Sequence, residues 1–128
     1  MHPFRAAVEA QDIDGLLALL AEDVVFRSPV VFKPYVGRDA VGTILRAVFQ
    51  VFENFRYVRE IGSPAEPDQA LVFLASIGGR ELEGSDFIHV DENGSITELA
   101  VMVRPLSAAL ALAEAMKARL DAASHSHG

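Results

Sequence analysis

Apolar residues along the chain recur first at helical spacing, then alternate, then return to helical spacing. Phe4, Ala7 and Val8 fall on one side of a short helix. Ile13, Leu16, Leu17 and Leu20 fall on one side of a second, with Asp12 placed to cap it and Ala21-Glu22-Asp23 closing it. Val24 to Val30 reads as a strand halted at Pro29, and Lys33-Pro34-Tyr35 as the loop that follows. Val41, Ile44, Leu45, Val48 and Phe52 then mark the longest helix, 38–52, which Gly37 and Asp39 introduce.

Three alternating stretches come next, at about 54–61, 69–77 and 81–90, separated by a Pro- and Gly-containing loop at 62–68 and by Gly78-Gly79. Asp91-Glu92-Asn93-Gly94 is a hairpin turn into a last strand, 95–104. Pro105 stands where a first helical residue belongs, and Leu106, Ala109, Leu110, Ala113, Met116 and Leu120 continue a helical stripe. This order predicts an α+β fold in which a curved antiparallel sheet wraps around helices and encloses a cone-shaped cavity. Residues 1–122 are expected to form one domain and 123–128 a disordered tail.

Alternation also assigns faces. Phe26, Phe52, Phe55, Leu99, Val101 and Val103 are predicted to line the inner wall, either as plain core or as the lining of a pocket for a small apolar molecule. One residue breaks the pattern. Asp86 shares a strand face with Leu82, Ile88 and Val90, where an acidic side chain needs a hydrogen-bond partner or a raised pKa. It reads either as a structural acceptor or as an acid or base in a pocket.

Composition narrows the partners. The net charge of −7 and the lack of a basic cluster argue against nucleic acid and anionic membranes. No uncharged run approaches the roughly 18 residues of a membrane span. The absence of cysteine excludes thiol chemistry and disulfides, and with an N-terminus too polar for a signal peptide it predicts a cytoplasmic protein. A hydrophobic content of 51% in so short a chain implies apolar surface beyond one core. Ala100, Met102 and Phe87, which alternate outward, are expected to form a homodimer contact on the outer sheet face.

The four histidines do not suggest a metal site, because His2, His125 and His127 lie near the ends and His89 alternates to the outer face; neither metal nor cofactor is expected. Arg56 and Arg59, flanking Tyr57, and Arg104 read as surface residues.

Three segments carry a resemblance: Ala10 to Asp23 leading into Val24, Tyr35-Val-Gly-Arg-Asp-Ala-Val41, and Gly84-Ser-Asp86-Phe-Ile-His-Val-Asp-Glu-Asn-Gly-Ser-Ile96. In their order and spacing the chain resembles the SnoaL-like and ketosteroid-isomerase-like proteins of the nuclear transport factor 2-like superfamily, also described as a cystatin-like α+β roll. The resemblance implies a cone-shaped site in which a base Asp precedes Pro at the end of the first strand and a Tyr and a protonated Asp hold an oxyanion. Here Ser28 stands at the base position and Phe4 at the Tyr, while Asp86 is retained. Ketosteroid isomerisation by that mechanism is therefore not expected, since Ser is no carboxylate base and Phe donates no hydrogen bond. The resemblance implies binding of a small apolar molecule near Phe4 and Ser28, with isomerase, cyclase or dehydratase proton transfer by Asp86. A non-catalytic ligand-binding or dimerisation module of the same fold is the alternative.

Overall fold

The structure, a computed structural model, describes residues 2–126. Helix α1 (Pro3–Glu9) begins where proline costs no backbone donor, and the His2 side chain accepts the Phe4 N–H. Helix α2 (Ile13–Ala18) is capped by the Asp12 carboxylate, which accepts the Gly15 N–H at 3.0 Å. It is shorter than expected. The Leu19 carbonyl accepts the Ile96 N–H at 2.9 Å, so the chain enters the sheet at once and strand β1 (Leu20–Arg27) takes up the acidic triplet expected to close the helix.

Tyr35–Val36 forms a short strand, β2, where a loop was expected, because Val25 and Phe26 offer it a free sheet edge. Gly37, at φ 100°, turns the chain into helix α3 (Arg38–Val51), a conformation that disfavours any side chain. The meander follows as β3 (Glu53–Ile61), β4 (Asp68–Ile77), β5 (Arg80–Val90) and β6 (Ile96–Arg104). Gly78 and Gly79, both at positive φ, close the β4–β5 hairpin.

The six strands form one sheet in the order β2-β1-β6-β5-β4-β3. Every pair is antiparallel except β1 with β6, which run parallel because most of the chain, rather than a tight turn, joins them. Register shifts interrupt the β1–β6, β3–β4 and β5–β6 ladders, and such bulges bend a sheet into a cone. Helix α3 buries Val41, Ile44, Leu45 and Ala47 in the shared core. Helix α4 (Leu106–Ser126) packs on α3 and on β4, β5 and β6, burying Ala108, Leu112 and Met116. It runs to Ser126, into the segment expected to be a disordered tail, as its alanine-rich sequence favours; residues 127–128 lie outside the described residues.

Two rows of inward side chains cross the sheet. Leu71, Asp86 and Val101 stand side by side on β4, β5 and β6, and Tyr57, Phe73, Gly84 and Val103 form the next row. The Phe73 ring lies over Gly84, where an added Cβ would come within 2.2 Å of Cζ. On the outer face Phe87 is 43% and Met102 63% exposed.

The Gly84–Phe73 contact is testable. Gly84→Ala is expected to lower stability by about 1–3 kcal/mol in urea denaturation, because the buried ring has to leave its packed position. An unchanged midpoint would mean that Phe73 yields freely.

Candidate functional site

Two polar side chains meet inside the cone. Tyr57 on β3 and Asp86 on β5 flank β4 and reach past it, and the Tyr57 hydroxyl donates a hydrogen bond to Asp86 Oδ2 at 2.7 Å. Each residue is 6% exposed. The tyrosine ring is held edge-on by Phe55, with centroids 5.0 Å apart, and Phe55 stacks on Phe73 at 4.7 Å. Asp86 Oδ1 makes no hydrogen bond among the described residues. Yet none of the described side chains has a polar atom both sealed off and unpartnered, so Oδ1 keeps some accessible surface, and Asp86 lines a cavity.

Burial dominates the electrostatics. Desolvation pushes the Asp86 carboxyl from 3.8 up to about 7, against a smaller opposing pull from the Tyr57 hydrogen bond. Desolvation, and then the adjacent Asp86 charge, push the Tyr57 hydroxyl far above its ordinary range. Near neutral pH, then, Asp86 exists in both protonation states and can give or take a proton, whereas Tyr57 stays protonated.

The cavity beside this pair has a volume of about 60 Å³. Sites for drug-sized ligands hold roughly 300–1,000 Å³, so the cone in this state is nearly filled by its own side chains. Leu112 and Met116 of α4 and the Phe52–Phe55–Phe73 cluster are part of its wall.

The sequence-derived lining residues Phe4, Phe26, Ser28, Phe52, Phe55, Leu99 and Val101 all line this cavity with Asp86. Val103 does not. It faces the same side, but it lies one row further on, opposite Gly84, and packs against the core instead. Ser28 Oγ accepts the Val30 N–H at 3.1 Å. Tyr57 is the functional residue that sequence reasoning missed, having been read only as the neighbour of Arg56 and Arg59. Its shared parity with Phe55, while Arg56 alternates outward, was the available signal. Of the α4 residues, Met116 was legible as part of a helical stripe but Leu112 was not: the stripe was drawn through Leu106 and Leu110, which are exposed, whereas α4 buries Ala108, Leu112 and Met116.

Other candidates lie elsewhere. His89 pairs with Asp68 at 2.6 Å on the exposed outer face, Arg104 with Glu83 at 3.3 Å, and Arg56 and Arg59 are exposed. No group of three His, Asp or Glu side chains among the described residues could hold a metal, and no helix among them is long and apolar enough to cross a membrane.

Comparison with known proteins agrees with this architecture. A family model described as a SnoaL-like domain matches residues 2–99. A steroid delta-isomerase from Pseudomonas aeruginosa is 42% identical, with a TM-score of 0.88 over 98% of this chain and 90% of that one. An uncharacterised protein with a cystatin-like fold from Silicibacter pomeroyi is 39% identical, with a TM-score of 0.86 over 91% of this chain and 82% of that one. A Mycobacterium tuberculosis protein in complex with estradiol-17beta-hemisuccinate is 23% identical, with a TM-score of 0.63 over 83% of this chain and 91% of that one, a likeness of fold alone. A search of curated protein sequences found no match.

The displaced Asp86 pKa has a consequence for stability. Because the folded chain holds this proton more tightly than the unfolded chain, Asp86 costs nothing below about pH 4, and its cost grows as pH rises towards 7. Displacement from 3.8 to about 7 corresponds to a cost of about 4 kcal/mol at alkaline pH. Asp86→Asn, which retains an acceptor for Tyr57, is therefore expected to stabilise the fold at pH 8 by up to that amount, with the gain shrinking as pH falls. Denaturation across this pH range checks it, and a gain that does not vary with pH would contradict the raised pKa.

Proposed function

Because the chain belongs to the SnoaL-like domain family, we propose that it binds a small apolar carbonyl compound in the cone and polarises the carbonyl with protonated Asp86. The observation that carries this reading is the buried Tyr57–Asp86 pair, which lines a cavity whose remaining walls are apolar but for Ser28 and in which Oδ1 is unpartnered among the described residues. A carboxylic acid kept neutral by its surroundings is a strong donor to an oxygen that gains charge, and in a water-poor site such a bond acts at close to full strength. The Tyr57 hydroxyl, bonded to the other oxygen, orients the carboxyl group for that contact. Reactions that build charge on a carbonyl oxygen, such as isomerisation, cyclisation and dehydration, are the ones this arrangement suits.

The name of the Pseudomonas aeruginosa relative, steroid delta-isomerase, supports a polycyclic ketone as the ligand class. A ligand of that size needs the cavity to widen from about 60 Å³, which movement of the Phe52 and Phe55 rings or of α4 would provide. The second reading, a binding protein without catalysis, is favoured by one observation: Asp86 is the sole carboxylate lining the cavity among the described residues, and Ser28 stands where the family resemblance places a base.

These readings separate in an assay of a β,γ-unsaturated steroid ketone, followed by the absorbance of its conjugated product. The native chain is expected to show no isomerisation, and Ser28→Asp to create it. Asp86→Leu in that background should lower the rate by about 10²-fold, the usual cost of one oxyanion donor. Turnover by the native chain would mean that another group acts as base. A Ser28→Asp variant that folds and binds the ketone without converting it would remove Asp86 from the polarising role.

We further propose that the chain is a homodimer through the outer sheet face. Phe87 and Met102, with Ala100 paired opposite Phe87, make an exposed apolar patch that α4 leaves open, because α4 puts Leu112 and Met116 into the cone instead. Light scattering at micromolar concentration is expected to give the dimer mass, and the double variant Ala100→Glu with Met102→Glu the monomer mass. A monomeric native chain would refute this contact.

A further inference from the structure

A wide groove, with a volume of about 680 Å³, lies against the outside of the cone between α1, α3 and the start of β3. It shares Val8, Phe49, Phe52 and Phe55 with the inner cavity, so the wall between the two is a single layer of side chains. The compartments differ in character. The inner one is apolar apart from Ser28, Tyr57 and Asp86, whereas the groove adds Glu9, Gln11, Arg46, Gln50 and Asn54.

Charge selects a ligand. The Glu9 carboxylate is taken up by Arg5 at 2.5 Å, while Arg46 makes no ion pair among the described residues. The groove therefore presents one unpaired cation on a chain whose net charge is −7.

Resting on the reading that the cone binds an apolar carbonyl compound, we infer that the groove is the outer half of the same site and receives the carboxylate end of an elongated amphiphile. The apolar head of the molecule passes the Phe52–Phe55 wall to reach Asp86 and Tyr57, and its anionic end stays in the groove at Arg46. This division accounts for the volumes, since about 60 Å³ admits only part of a drug-sized molecule and the groove has room for the rest. The amides of Gln11, Gln50 and Asn54 supply further donors along the way.

The test uses a fluorescent aminonaphthyl methyl ketone bearing a butanoate chain, the same ketone bearing the butanamide, and the unsubstituted ketone, each titrated against the full chain. The butanoate is expected to bind about fivefold more tightly than the butanamide, as suits a solvent-exposed ion pair, with the ratio falling as salt is added. Arg46→Gln should bring the ratio close to one. A general attraction of anions cannot produce this preference, because the chain as a whole repels them. Equal affinities in the native chain, or a preference that survives Arg46→Gln, would overturn the groove inference while leaving the cone reading intact, provided that the unsubstituted ketone binds and Asp86→Leu weakens it. Failure of that ketone itself to bind would overturn both.

Discussion

The structure is organised around one buried carboxyl group. Asp86 lies on the concave sheet face, and its only side-chain hydrogen bond among the described residues comes from a tyrosine two strands away. A charged carboxylate there is unfavourable by several kcal/mol, a large part of the roughly 5–15 kcal/mol by which a domain is stable. The surrounding architecture leaves the site only a small cavity, of about 60 Å³. Bulges curl the ladders, α3 buries its apolar face in the core, and α4 contributes Leu112 and Met116 to the cavity wall.

Close packing of the Phe73 ring explains the glycine beside the site. With no side chain at position 84, Phe73 can lie flat against β5, stack on Phe55 and meet Tyr57 edge-on at 6.2 Å. The aromatic cluster thereby fixes the tyrosine that partners Asp86. A side chain at 84 would displace the ring first and the Tyr57–Asp86 hydrogen bond next, so packing and chemistry are coupled through one missing methyl group.

Much of this was legible in the sequence, and the failures have physical causes. Alternation placed Asp86, Phe26, Leu99 and Val101 on the concave face, because period-two patterning survives wherever one face is buried. It overreached at Val103, since parity says which face a side chain takes and not how far along the strand the cavity extends. Tyr57 escaped because β3 is an edge strand whose neighbours are charged, and the register shift after Tyr57 blurs its alternation. The early start of β1 was hidden for another reason: Ala21-Glu22-Asp23 suits a helix end locally, and only the distant Ile96 draws the segment into the sheet. Pairing between residues so far apart leaves no local signature.

Family membership specifies this cone more firmly than it specifies a reaction. The fold depends on distributed features, such as strand order, bulges and the α3 stripe, that many sequences satisfy. A reaction depends on a few atoms. At position 28 the difference between a serine hydroxyl and a carboxylate is the difference between a group that stays protonated in ordinary water and one that can take a proton from carbon. Asp86 is less sensitive to such change, because its role follows from burial and any rearrangement that keeps it dry keeps its proton affinity high. On the proposed reading, a cone that keeps the acid and has serine at the base position holds and polarises a carbonyl compound, and a carboxylate at position 28 would add proton abstraction.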